Sequence, residues 1–171
     1  MRLLLTIAIS LLSANPVFPQ DIEESIRQKV RVIDSNNSLE KLDFKDYESY
    51  EQSFDGGNVI EIYQINQKIA KARETVGLSR GRLTTTVYYN NEEPLLVKEV
   101  EETFPWNDSE YRFDYTQLDS TFEEMVYLQN GQIVKIEQTG QRSISERTDK
   151  ATEYNSIIKR MKQLASQKRN D

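Results

Sequence analysis

The chain contains no histidine and no cysteine, and its paired carboxylates are the first residues whose chemistry can be weighed. Without histidine there is no ordinary general base near neutral pH, no Ser-His-Asp arrangement and no use of the commonest metal ligand. Without cysteine there are no disulfides, thiolate metal sites or thiol nucleophiles. A glycine-rich phosphate loop of the required form is missing too. The paired acids Glu101-Glu102 and Glu123-Glu124 could in principle serve glycoside hydrolysis, which sets two carboxyl groups on either side of a bond. Adjacent strand residues point to opposite faces, so neither pair builds such a site by itself. Asp108, Glu110 and Asp114 offer oxygen ligands suited to calcium but lack the turn glycine of a recognised loop. The expectation is a protein with no catalytic residue, no cofactor and no metal site.

Aromatic side chains are the next candidates. Trp106 is the only tryptophan, and it stands in a short segment with Tyr111, Phe113 and Tyr115, interleaved with Asp108, Glu110, Arg112 and Asp114. These four aromatics are the candidate binding residues, since tryptophan and tyrosine supply the anchors typical of binding hot spots. The competing reading makes Tyr111, Phe113 and Tyr115 a short alternating strand and Trp106 a plug for the open end of the core. Tyr63, Tyr88 and Tyr127 form a second set, each three residues before an asparagine. Cross-strand packing suits them, and a stacking platform for a sugar or a peptide is the alternative.

The elements that must position these residues follow from hydrophobic spacing. Met1 and Arg2 precede an apolar run from Leu3 to Leu12 that stops at Ser13-Ala14-Asn15-Pro16. That is the form of a secretory signal, too short for a membrane span, with the mature start expected between Asn15 and Asp21. Residues 1–20 are thus read as signal peptide and boundary, and 21–171 as one domain large enough for a single core. Asp21 and Glu24 resemble a capping box, after which Ile22, Ile26, Val30 and Ile33 share a helical face until the polar run Asp34 to Ser38. Residues 39 to 57 have no clear period and close on Asp55-Gly56-Gly57.

Beyond Gly57 an internal repeat organises the chain. Ile62 to Asn66, Val87 to Asn91 and Val126 to Asn130 each end on Tyr-x-x-Asn, and each is followed by a second strand-like run. Three hairpins are predicted, with Asn130-Gly131 suited to a turn that needs two positive φ angles. The middle turn could centre on Asn90-Asn91 or on Glu92-Glu93, and a one-residue slip would reverse the face of every side chain. The asparagines lie 25 and then 39 residues apart, so the second unit carries 14 extra residues, Pro105 to Leu118. Ser143 to Glu146 form another capping box, before a helix with Ala151, Tyr154, Ile158, Met161 and Ala165 on one face.

The fold class expected is α+β: an antiparallel meander of about six strands, covered on one face by an N-terminal and a C-terminal helix. Net charge is −6, and more negative once Arg2 is removed, which argues against nucleic acid as a partner. The acids concentrate between Asn91 and Met125 and the bases beyond Arg142. They read either as a solvated acidic sheet beside a basic helix or as a bipolar surface that orients a partner.

Signal peptide, capped helix and Tyr-x-x-Asn-Gly hairpins together resemble small secreted or periplasmic proteins of unknown function from Bacteroidota-type bacteria. Tyr127-Leu128-Gln129-Asn130-Gly131 is also similar to membrane-occupation-and-recognition repeats, whose additional glycines are missing around Tyr63 and Tyr88. Neither resemblance carries a functional residue over. The function expected is an exported, periplasmic or secreted binding or inhibitor-like module that recognises an envelope protein or peptide without catalysis. A small carboxylate-dependent hydrolase and a structural envelope component are the alternatives.

Overall fold

The computed structural model describes residues 19–45, 56–144 and 150–167. The expected signal segment and the Glu146 end of the second capping box lie outside the described residues. Seven strands form one antiparallel meander: β1 Glu40–Lys45, β2 Asn58–Ile65, β3 Lys68–Leu78, β4 Gly81–Asn90, β5 Glu93–Thr103, β8 Asp119–Gln129 and β9 Gln132–Gly140, in that spatial order. A separate two-stranded ribbon, β6 Trp106–Asn107 with β7 Arg112–Phe113, interrupts the passage from β5 to β8. Helices α1 Pro19–Asp34 and α2 Lys150–Gln167 flank the sheet sequence. The α+β class and the antiparallel meander stand. The strand number is seven rather than six because Glu40–Lys45, within the stretch without a clear period, pairs along β2.

The Tyr-x-x-Asn repeat has a physical cause. In each hairpin the two central turn residues take positive φ: Asn66 and Gln67 (49° and 63°), Asn91 and Glu92 (50° and 68°), Asn130 and Gly131 (50° and 73°). Such turns match the right-handed twist of the strands, and asparagine tolerates the left-handed conformation. The middle turn therefore centres on Asn91-Glu92, between the two placements the sequence allowed. Directly after each repeat tyrosine the register slips, at Tyr63/Gln64, Tyr88/Tyr89 and Tyr127/Leu128. Ala70, Leu95 and Val134 are the extra residues on the returning strands. One bulge per hairpin at the same distance from the turn fixes register and face together.

As a result the three tyrosines fall in one transverse row, Lys41, Tyr63, Lys71, Tyr88, Leu96, Tyr127 and Lys135. Helix α1 lies on this face: Ile26 is buried with Tyr88, Leu95, Leu96 and Tyr127, and Ile22, Val30 and Ile33 pack around them. The neighbouring residues Val87, Val97 and Val126 point the other way, into a larger core with Ile60, Ile62 and Ala72. Tyr154, Ile157, Ile158, Met161, Leu164 and Ala165 of α2 cover that core. The two helices therefore occupy opposite faces, which corrects the expectation of one covered face. Near the hairpin tips consecutive residues are apolar, as in Val87-Tyr88-Tyr89, Leu95-Leu96-Val97 and Val126-Tyr127-Leu128, so both faces need burial there and one helix serves each.

Helix α1 crosses only the hairpin tips. Pairing of β3 with β4 runs from Leu78↔Gly81 to Lys71↔Tyr88 and that of β5 with β8 ends at Leu96↔Tyr127, so beyond these pairs the three tips separate beneath the helix. The opposite end of the same sheet face is left without a helix, and the inserted ribbon stands there.

Candidate functional site

The inserted segment is held to the sheet end by backbone bonds at its base. Phe104 N–H donates to the Arg80 carbonyl (3.0 Å) in the β3–β4 turn, and Asp114 N–H donates to the Pro105 carbonyl (2.8 Å). Side chains shape the turns between: Asn107 Oδ1 accepts from the Ser109 backbone N–H (3.0 Å) and hydroxyl (2.7 Å), and Asp114 Oδ1 accepts from the Thr116 backbone N–H (2.9 Å). The Thr116 and Gln117 bonds hold the Asp114 carboxyl below its ordinary range. Glu110 is paired with Arg112. Of the three acids suited to calcium, Glu110 and Asp114 are thus engaged locally, and among the described residues no group of three or more acids is arranged to hold a metal ion.

On this base the aromatics form a chain of edge-to-face contacts. Trp106 meets Phe113 (5.1 Å between centroids, 79°), Phe113 meets Tyr115 (6.4 Å, 63°), and Tyr115 meets Phe104 (4.9 Å, 63°). The Arg80 guanidinium stands 5.9 Å from the Phe113 ring centre. Three of the four candidate residues therefore act together, and Phe104 joins them. Tyr111 stands apart: it takes φ 50° in the ribbon turn and is 83% exposed. Trp106 is 51% exposed, so it does not plug the core.

Two of these rings, Phe104 and Tyr115, line a cleft of about 790 Å³, while Trp106, Phe113 and Tyr111 stand outside it. Phe104, Tyr115 and Leu118 line it together with Val59, Thr75, Leu78 and Arg82. Its floor is backbone, because Gly56 and Gly77 approach too closely for side chains: Gly56 N–H donates to the Gly77 carbonyl (3.2 Å), and a Cβ on Gly56 would lie 2.7 Å from the Gly77 backbone. Arg82 is held in place by Glu102 (Nη2 to Oε1 3.1 Å), which together with the glycine floor makes a preformed wall. A groove with an apolar aromatic wall, a bare backbone floor and one oriented cation can take an extended chain or a protruding side chain.

A second constellation lies on the other face, and the sequence reading missed it. Glu74, Thr85, Glu99, Glu124 and Gln138 stand directly opposite one another on five successive strands. Glu99, Glu124 and the nearby Glu101 are wholly buried. Each is held by named partners. Arg142 pairs with Glu99 and lies 3.7 Å from Glu124, which also accepts the Tyr154 hydroxyl. Glu101 accepts from the Ser143 hydroxyl (2.9 Å) and the Ile144 N–H (3.0 Å), and Arg160 Nη2 spans both Glu74 oxygens at 2.7 Å. Burial alone would lower the Arg142 pKa, but the charge of Glu99 and its hydrogen bond carry it upward.

The acidic run and the basic C-terminal region thus meet inside the protein at these residues. For them this corrects both the solvated face and the bipolar surface. The adjacent pairs do split across the sheet: Glu102 binds Arg82 and Glu123 binds Lys98 on the outer side. The missed signal is the cross-strand register, which brings Glu99 opposite Glu124.

The repeat tyrosines are fastened to α1 and its surroundings. Tyr88 donates to Asp34 (3.1 Å), which also accepts from Lys71 (2.8 Å), and Tyr127 donates to Glu137 (2.8 Å). Burial chiefly, with the facing carboxylates, raises both phenols above their ordinary value, so they remain donors. Lys71 Nζ sits 4.8 Å from the Tyr63 ring centre. These contacts occupy the ring faces and hydroxyls that a stacking platform would use. No protein-family model, curated protein or solved structure matches the chain, so the geometry carries the functional reading.

Proposed function

We propose that the protein is an exported binding module of the cell envelope or its surroundings, one that recognises a protein or peptide in the cleft beneath the inserted ribbon and performs no catalysis. The observation that carries this reading is the cleft itself. An insertion absent from the sister hairpins places Tyr115, 63% exposed, over a glycine floor at the helix-free end of the sheet. Loops on a rigid scaffold are the usual carriers of recognition. Export rests on the form of residues 1–20, and the non-catalytic reading is supported by the engagement of Glu74, Glu99, Glu101 and Glu124 with basic and polar partners under α2. An apolar wall with Arg82 beside it favours a segment carrying an aromatic or aliphatic side chain near an acidic one.

Peptide selection by display against the purified protein, followed by titration of the best peptide, tests this reading. Tyr115→Ser, in the cleft wall, is expected to weaken the selected peptide tenfold or more, and Trp106→Ser to weaken it less, by loosening the ring chain through Phe113 that supports Tyr115, both with unchanged melting temperatures. Selected peptides that bind both variants as they bind the parent would place recognition elsewhere.

A further inference from the structure

β9 is the last strand of the sheet, and among the described residues nothing pairs along its outer side. It runs from Gln132 to Gly140, and every other residue of such an edge turns its backbone N–H and C=O outward. Proteins usually blunt an edge of this length with charge, proline or brevity. The opposite edge, β1, is blunted in that way: it has six residues, and Glu40, Lys41 and Asp43 are exposed on it. β9 instead exposes aliphatic side chains, Ile133 at 41%, Val134 at 44% and Ile136 at 43%.

The register of β9 against β8 assigns these side chains to faces. Ile133 stands opposite Leu128 and Ile136 opposite Val126, both core residues under α2, so the two isoleucines border that core without being covered by it. Lys135 and Glu137 stand opposite Tyr127 and Met125 on the α1 face. They do not blunt the edge as free charges would, because both are drawn toward α1. Lys135 pairs with Glu23 and with Glu137, and Glu137 accepts from the Tyr127 hydroxyl (2.8 Å) and pairs with Arg27. The bulge at Val134 lies near the turn, so Lys135 to Gly140 run as a regular strand.

We propose that two copies of the chain pair antiparallel through β9, with Ile136 meeting its own copy on the two-fold axis and the two sheets joining into one. Pleat and charge select this register. A two-fold that keeps matching faces together sets one residue opposite itself, because a slip of one residue would oppose α1-face and α2-face side chains. Centring on Lys135 or on Glu137 would set like charges directly opposite, which destabilises. Centres further along shorten the ladder or run it through the bulge at Val134. Centring on Ile136 opposes two aliphatic side chains and sets each Lys135 opposite the partner's Glu137, so the charged row on the α1 face becomes complementary across the seam. On the other face the same axis places both α2 helices on one side of the joined sheet, with the Ile136 pair in the seam between them. The pairing leaves the ribbon cleft untouched and does not depend on it.

Sedimentation velocity of the purified protein over a range of concentrations tests this. The parent should show a reversible equilibrium between monomer and dimer, with β9 amides gaining protection from hydrogen exchange as the dimer fills. Ile136→Lys, which sets like charges on the axis, should weaken dimerisation about tenfold or more while its melting temperature in dilute solution stays near the parent's. Lys135→Glu and Glu137→Lys should each be monomeric alone, because each opposes like charges across the seam. An equimolar mixture of the two should dimerise as heterodimers, a rescue that a fold defect within either copy would not produce. Tyr115→Ser should leave the dimer intact. A parent that stays monomeric at every concentration, a dimer indifferent to Ile136→Lys, or a charge-swapped mixture no more associated than its components would each overturn the proposal. A monomeric parent whose β9 amides are protected only by a display-selected peptide would overturn it as well, by showing an edge that takes a foreign strand instead.

Discussion

At the scale of single residues, Gly131 and Gly81 separate two reasons for using glycine. Gly131 takes φ 73° with open space where a Cβ would point, so Gly131→Val meets backbone strain alone and should cost about 1 kcal/mol or more. A Cβ on Gly81 would stand 2.0 Å from the Glu102 carbonyl oxygen, a backbone atom that cannot step aside. Gly81→Ala should therefore cost about 3 kcal/mol, although the smaller side chain is the one introduced. Chemical denaturation of both variants checks the order; equal losses would mean that Gly131 sits in a more crowded turn than the structure shows. The buried acids allow a similar comparison. Arg160→Met leaves the nearly buried Glu74 without its bidentate partner and should cost about 2 kcal/mol or more, whereas Arg160→Met combined with Glu74→Met should recover most of the loss. A double variant as unstable as the sum of its singles would show that the pair contributes no coupled energy.

At the scale of elements, the two helices cover unequal cores. α2 buries Tyr154, Ile157, Ile158, Met161, Leu164 and Ala165 against strands from β1 to β8, whereas α1 buries only Ile26 fully and covers the hairpin tips. Truncation before Ser143 should leave an aggregating or molten product that has lost its near-UV signal. Removal of α1 should lower the melting temperature while preserving a cooperative transition. If both truncations melt alike, the division of labour between the faces is wrong. Much of this level was legible in the sequence. The apolar spacing of Ile22, Ile26, Val30 and Ile33, and of Tyr154, Ile158, Met161 and Ala165, marks the buried face of each helix, and Tyr-x-x-Asn marks three turns. What could not be read was which sheet face each helix takes. That depends on the bulge after Tyr63, Tyr88 and Tyr127 and on a middle turn at Asn91-Glu92, where a glutamate adopts φ 68° that composition does not announce. The burial of Glu99 and Glu124 was hidden for the same reason. Each is ordinary in its own strand, and only pairing between strands, with Arg142 brought from beyond β9, makes them a cluster.

At the scale of the whole molecule, the described residues form a sheet with a helix on each face and one added ribbon that no sister hairpin carries. The sequence marked that addition by its length and its aromatics. It did not reveal that Phe104, Tyr115 and Leu118 would line one cleft with Val59, Leu78 and the close-packed Gly56 and Gly77, because these residues are far apart in the chain and meet only through strand register. The proposed division is therefore between a framework that folds by itself and a ribbon that recognises. Most of the ribbon's stabilising contacts are internal or with the β3–β4 turn, and its aromatic side chains belong to neither buried core. Replacing Pro105 to Leu118 by a short Gly-Ser linker, then measuring thermal unfolding and binding of a display-selected peptide on the same sample, tests this most directly. The account predicts a cooperative transition within a few degrees of the parent and complete loss of peptide binding. An unfolded product, or a folded one that still binds the peptide with parental affinity, would contradict it.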